Sequence, residues 1–259
     1  VIDESYLDNV VVPTLRRAEE HNIAVTIELS PQGFPDWIFQ EYPETQIPDN
    51  YGFLKCNIEH PIVQEIMKEH TRVIMNKVKD SPALQAINLS NETEYITNNS
   101  RQNLEKWHEY LEEIHESVEE MNELYGTSYE SFDEVPIPNM ENVKANALYY
   151  DYLVYKSKRN IAFHKMLADE VHKYDPDMPV HVKLMGFGVT NNDLMVRGGK
   201  DIEGFVEIQD WTGIDGGPEY GGGSGRMAEY VGMLDMLASM KEQPIFNSEN
   251  HIISDGEER

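Results

Sequence analysis

The chain has 259 residues, 47 acidic against 21 basic, for a formal net charge of −26. That charge repels phosphate backbones and anionic lipid surfaces and so argues against nucleic-acid binding, while a hydrophobic content of 40% supplies a core. The one cysteine, Cys56, excludes an internal disulfide and any multi-cysteine zinc site, and no run approaches the ~18 apolar residues of a membrane span.

Apolar residues at helical spacing predict a helix over 7–21, stopped at His21-Asn22. The β-branched run 23–29, closed by Ser30-Pro31, predicts a buried strand. A second amphipathic helix is predicted over 57–79, with Ile62, Ile66, Val73 and Val78 on one side. A second strand follows over 83–89. Residues 101–125 predict one long helix, since Leu104, Trp107, Leu111, Ile114, Val118 and Met121 recur at steps of three and four before Gly126. Another is predicted over 141–174, ended by Asp175-Pro176. Strands are predicted over 179–185, 204–209 and 244–248, with a helix over 227–241 before the last. The glycine-rich stretch 213–225 is read as a strand-to-helix loop.

Strands alternating with helices imply parallel strands joined by right-handed crossovers. With no break in composition, residues 1–259 read as one domain, an α/β fold of the (β/α)8 TIM-barrel type. Five strand–helix units do not close eight strands, so the barrel reads as truncated at both ends. Its open edge strands would leave residues 1–259 alone inactive or poorly soluble. The chain opens on Val1 rather than Met, so no compartment is assigned.

In such a fold the chemistry lies at the C-terminal ends of the strands. The second predicted strand runs into Asn91-Glu92 and the fifth into Ser248-Glu249. Two carboxyl groups at one mouth suit retaining glycoside hydrolysis. One protonates the leaving oxygen and needs a raised pKa; the other stays ionised and attacks the anomeric carbon. Glu92 is read as acid/base and Glu249 as nucleophile, with Asn91 placed to hydrogen-bond the sugar 2-hydroxyl. Asn122-Glu123 repeats the Asn-Glu pair inside a predicted helix and reads as a solvated face.

The chain also resembles the family 42 glycoside hydrolases, the β-galactosidase family of the large retaining barrel clan, from about Tyr6 to His251. The similarity is carried by Phe34-Pro35-Asp36-Trp37-Ile38 with Tyr42-Pro43-Glu44, and by Cys56-Asn57 with His60-Pro61-Ile62-Val63. It continues in Asp80-Ser81-Pro82-Ala83-Leu84 ahead of Asn91-Glu92, then Asn122-Glu123-Leu124-Tyr125-Gly126-Thr127 and Phe132-Asp133-Glu134-Val135-Pro136. The resemblance implies that the strands present are the third to the seventh of the barrel, with the first, second and eighth missing. It implies the same roles for Glu92, Asn91 and Glu249, a carbohydrate substrate, no cofactor, and homo-oligomerisation of the full-length protein.

This sequence departs from the family after the acid/base, where Asn-Glu-Tyr-Gly is replaced by Asn91-Glu92-Thr93-Glu94-Tyr95. It departs again where a Trp-Asp-Asn-Tyr-Pro end to strand six is replaced by Gln209-Asp210-Trp211-Thr212. The cysteine cluster that holds zinc in many members is reduced to Cys56, so no metal is expected. These changes bear on sugar specificity rather than on reaction type.

At the expected end of the fourth strand, Trp211 either stacks on a sugar face or plugs the rim, and Asp210 either binds sugar hydroxyls or caps the loop. Both are carried as substrate-binding candidates. Trp37 is read as loop packing, His181 as a satisfied core histidine, and His108 and His115 as surface residues rather than metal ligands. Gly223-Ser224-Gly225 ahead of a helix imitates a dinucleotide fingerprint but does not directly follow a strand. The rival readings are a same-clan enzyme for β-glucosides, β-mannosides or internal linkages, a non-catalytic carbohydrate-binding barrel, and a Rossmann-type dehydrogenase.

Overall fold

The computed structural model describes residues 2–47, 54–96, 99–139, 146–185, 197–217 and 226–250. Its centre is a five-stranded parallel sheet in the order β1 (Val25–Glu28), β2 (Leu84–Asn91), β3 (Val180–Met185), β4 (Thr212–Gly216) and β5 (Ile245–Asn250). Sequence neighbours are spatial neighbours throughout, as crossover connections of one hand require. The N-terminal helix α1 (Val12–Glu20), preceded by a π-helical turn, leads into β1, and α2 (Asp36–Glu41) lies in the segment after that strand. The helix α3 (Pro61–Val78) joins β1 to β2. The helices α4 (Arg101–Ile114), α5 (Val118–Tyr125) and α6 (Ala147–His172) lie between β2 and β3. The short α7 (Ile202–Glu207) precedes β4, and α8 (Arg226–Met240) precedes β5.

The alternation along β3 explains how the layers are built. Val180, Val182 and Leu184 are fully buried in the main apolar core, which also holds Val63, Met67, Ile74 and Val78 of α3 and Phe163, Leu167 and Val171 of α6. The intervening His181 and Lys183 line a cleft of about 390 Å³ on the other face, together with Thr26, Glu28, Asn88, Phe246 and Ser248. The sheet is therefore curled, with β1 and β5 facing one cleft: a half-barrel with helices outside and polar groups within.

Three expectations change. The helix predicted over 101–125 is two helices. His115 is extended rather than helical, and Ser117 accepts a hydrogen bond from Glu120 N at 3.2 Å to cap the second. The break turns His115 inward: it is buried, not a surface residue, and its Nε2 lies 2.8 Å from the Tyr125 hydroxyl. His108 is also partly buried, with Nε2 2.9 Å from Val135 O. Of the helix predicted over 141–174, residues 141–145 lie outside the described residues; the described helix begins at Ala147 and is capped by Asn146, whose side chain accepts from Tyr149 N at 2.9 Å.

The third change moves a strand. Residues 204–209, predicted as the fourth strand, begin in helix α7. Phe205 and Val206 are both fully buried, so a two-turn helix hides the same apolar pair that an extended segment would. Gly204 lets this helix close on α6: a Cβ there would lie 2.4 Å from Ile161 Cδ1. The true fourth strand is 212–216, whose two glycines disguise it as loop. Gly213 is required there, because a Cβ would lie 2.3 Å from the Val182 carbonyl oxygen and 2.7 Å from His181 Nδ1.

Candidate active site

Both glutamates stand just beyond an irregularity in the ladder. Between β2 and β3, Asn88 pairs with His181 and Asn91 with Lys183, so β2 carries one residue more than its partner. The Asn88 side chain fills the gap, accepting from Lys183 N at 3.1 Å and Ser90 N at 3.4 Å. Between β4 and β5, Ile214 pairs with Asn247 and Asp215 with Glu249, leaving Ser248 as the extra residue. There Asn247 Oδ1 accepts from Glu249 N at 3.2 Å. A bulge bends a strand and re-aims the side chains beyond it; here each is braced by an asparagine two residues ahead of the freed N–H. Glu92 then adopts φ +41°, in the left-handed region rarely used by residues with a side chain, and its N–H donates to Lys183 O at 2.8 Å.

The result is a cluster of carboxyl groups at the mouth. Oxygens of Glu92, Asp215 and Glu249 all lie within 4.8 Å of one another. Asp215, on β4, is fully buried, whereas the Glu249 side chain is 46% exposed. Lys183 of β3 forms an ion pair with Glu249 through Nζ. Three adjacent negative charges repel strongly in a partly desolvated site. The strain falls on Glu92, whose carboxyl is pushed up to about 7, first by burial and then by its hydrogen bond with Asp215 and the Asp215 charge. Lys183 acts in the opposite sense and Glu249 in the same one.

The segment after Glu92 is fixed by a buried polar network. Thr93 donates to Asn160 Oδ1 at 3.2 Å, and Glu94 pairs with the buried Lys200 at 2.9 Å. Tyr95 donates to Glu59 at 2.9 Å, and Arg159 grips Glu59 through two nitrogens at 2.7 and 2.6 Å. The departure Thr93-Glu94-Tyr95 is thus an anchored, irregular segment. Asn91 Oδ1 is buried next to Glu92 and has no hydrogen-bond partner among the described residues.

The structure brings Asn91, Glu92 and Glu249 to one place. It does not bring Asp210 and Trp211 there. Asp210 Oδ2 accepts from Val180 N at 2.9 Å and Trp211 N donates to Val180 O at 3.3 Å, at the N-terminal end of β3. The Trp211 ring packs 5.5 Å from Phe246. Both precede β4 and sit at the opposite end from the carboxyl cluster, so their reading as substrate-binding residues is corrected: it came from placing the strand too early. The residue that does end β4 in the mouth is Asp215. Lys183 was likewise missed, as was the cleft role of His181. His181 is buried against Phe246, neither ring nitrogen has a hydrogen-bond partner among the described residues, and burial pushes it down to about 4.

Asn122 is no solvated group: its side chain donates to Tyr129 O at 2.8 Å and accepts from Thr127 Oγ1 and Tyr129 N at 2.8 and 2.9 Å. Trp37 is 52% exposed on α2 rather than packed into the loop. Cys56 is fully buried in the apolar core, its thiol pushed up to about 12 by burial. The glycine stretch beyond 217, with its dinucleotide-like segment, lies outside the described residues. Among those described, no helix is long and apolar enough to cross a membrane.

Residues 3–213 match the family of glycoside hydrolases numbered 42, described as β-galactosidase. The chain belongs to the family 42 glycoside hydrolases. It is 24% identical to the β-galactosidase LacZ of Heyndrickxia coagulans over 71% of its own length and 30% of that protein. In fold it is similar to Gan42B, a family 42 β-galactosidase from G. stearothermophilus, with a TM-score of 0.80 and 18% identity over 96% of this chain and 38% of that one. It is also similar to an exo-carrageenase of family 42 from Bacteroides ovatus, with a TM-score of 0.73 and 21% identity over 95% of this chain and 37% of that one. The chain thus spans about a third of the length of these relatives. The half-barrel agrees with part of a family 42 TIM barrel. The family match ends before Asp215 and β5, so the placing of Asp215 and Glu249 in the site rests on the structure.

Proposed function

We propose that the chain is the catalytic core of a retaining β-glycosidase with Glu92 as acid/base and Glu249 as nucleophile. Residues 1–259 then form a single catalytic domain incomplete at both ends, β1 to β5 being strands three to seven of the barrel. The observation that carries this reading is the approach of Glu92 and Glu249 oxygens to within 4.8 Å. Retaining enzymes hold their two carboxyl groups at about 5–5.5 Å, while inverting enzymes leave about 6.5–9.5 Å for a water.

In the first step a Glu249 oxygen bonds to the anomeric carbon as the glycosidic C–O bond breaks, and the Glu92 proton passes to the leaving oxygen. In the second, Glu92 takes a proton from water. That water displaces Glu249 and releases the sugar with its original configuration. A carboxyl group poised near 7 suits a residue that must act first as acid and then as base. Asn91 Oδ1 accepts from the sugar 2-hydroxyl as charge develops at the anomeric carbon.

Family membership and the β-galactosidase relatives support terminal β-linked galactosides as the first substrates to try, and the likeness to a family 42 exo-carrageenase is the reason to test other substrates beside them. The test uses the full-length polypeptide and a panel of aryl β-galactoside, β-glucoside and β-mannoside. Turnover of one of them, with Glu92→Gln and Glu249→Gln each reduced at least about a hundredfold, is the expected result. Full activity in either variant would discard the assignment, and sugar binding without turnover would favour a non-catalytic barrel.

A further inference from the structure

Taking Glu92 and Glu249 in the roles just given, we propose that Asp215 and Lys183 are the positioning residues that sort them. Asp215 receives the Glu92 proton in a hydrogen bond and so holds the acid, while Lys183 holds Glu249 as the charged partner. Two glutamates from equivalent strand ends have no intrinsic difference, so their division of labour must come from their neighbours.

The geometry makes that division. Asp215 is fully buried on β4, within 4.8 Å of Glu92, and is the register partner of Glu249. Lys183 is buried on β3 and touches both glutamates through different atoms. Its carbonyl accepts from Glu92 N at 2.8 Å, whereas its ammonium is paired with Glu249. Its own N–H is taken by Asn88 Oδ1 at 3.1 Å, and Asn88 donates in turn to Glu28 at 3.0 Å. Lys183 is therefore gripped at its N–H, its carbonyl and its ammonium.

The charged and titratable groups around Glu92 come from every strand: Glu28 of β1 through Asn88, His181 and Lys183 of β3, Asp215 of β4 and Glu249 of β5. Glu94 is turned away to Lys200. Of these, His181 is held neutral by burial and Glu28 is occupied by Ser30, Gln32 and Asn88. Beside burial, which raises Glu92 most, Asp215 and Lys183 are the opposed neighbours: Asp215 raises it further and Lys183 lowers it.

The test is the pH dependence of kcat/KM in the full-length polypeptide, on a substrate with a poor aryl leaving group and on its dinitrophenyl counterpart. Asp215→Asn should move the basic limb down by on the order of one pH unit, and should slow the poor leaving group more than the activated one. Lys183→Met should move the acidic limb up, because the nucleophile loses its cationic partner, and the basic limb up as well, because Lys183 no longer lowers Glu92. Asp215→Ser replaces the Asn variant should the latter not fold. Limbs that stay at the wild-type pH while rates fall would reduce both residues to packing and overturn the proposal.

Azide rescue separates this from the underlying assignment. Glu92→Ala should yield the β-glycosyl azide and Glu249→Ala the α-glycosyl azide. Rescue with unmoved limbs sinks the sorting role alone, whereas absence of rescue removes the catalytic assignment and the sorting role with it.

Discussion

Adding one methyl group at Gly213 tests the register on which the site depends. Its Cβ would meet the Val182 carbonyl oxygen at 2.3 Å, the Val182 carbonyl carbon at 2.9 Å and His181 Nδ1 at 2.7 Å, whereas ordinary contact begins at 3.4 Å. The obstacle is backbone, so β3 and β4 must part by roughly 1 Å. Overpacking of this kind costs typically about 1–3 kcal/mol. Stretching one or two ladder hydrogen bonds by that distance adds about 1 kcal/mol each. Gly213→Ala should therefore lose about 2–5 kcal/mol, or roughly 4–20 °C in Tm at ~2–4 °C per kcal/mol for a domain of this size.

The control is Gly232→Ala within α8. A Cβ there meets nothing within 4 Å, and the gain in helix propensity is about 1 kcal/mol. Both variants are read by calorimetry against the parent. A Gly213→Ala protein melting within about 1 °C of the parent would refute the close approach, and with it the placing of β4 that delivers Asp215 to the mouth.

Two further outcomes come from buried groups. Burial holds His164 at about 4, so the unfolded chain, with a histidine near 6.5, binds a proton that the fold refuses. This contribution is whole above pH 6.5 and is lost as pH falls toward 4. By pH 5 it removes about 2 kcal/mol, and urea midpoints at pH 7 and pH 5 should differ less in His164→Leu than in the parent. Equal pH dependence in the two would refute it. Separately, Arg159→Met strands the Glu59 carboxylate, whose side chain is 2% exposed, and should cost about 3–5 kcal/mol. Adding Glu59→Gln should recover more than half of that loss, as chemical denaturation would show; a double variant no more stable than the single one would mean that the pair acts through packing.

The strands that were legible are those with a continuous apolar or β-branched signature. The runs before Ser30 and Asn91 and the run Val180–Met185 fall where the sequence places them, because burial of one face leaves little choice of register. The two glutamates were legible from strand ends: Glu92 follows the apolar run of β2, and Glu249 follows the shorter run Ile245-Phe246 within β5. The fourth strand was not, and the cause is local. Thr-Gly-Ile-Asp-Gly offers one large apolar side chain, Ile214, because the neighbouring strand approaches too closely for more, while Phe205 and Val206 advertise a strand and form a helix. The glycine that hides β4 is the residue that lets it pack.

That error moved the mouth by a whole strand and cost the site Asp215. Lys183 was hidden differently, since a lysine within a strand reads as solvent-facing unless the strand is known to line a barrel interior. The asparagines at 88 and 247 carried a signal, each supplying the side-chain acceptor that a bulge needs two residues later. Counting along the predicted strands therefore reached the two glutamates that the structure brings together at the mouth. Their neighbours Asp215 and Lys183 emerge only when β3 and β4 are set side by side.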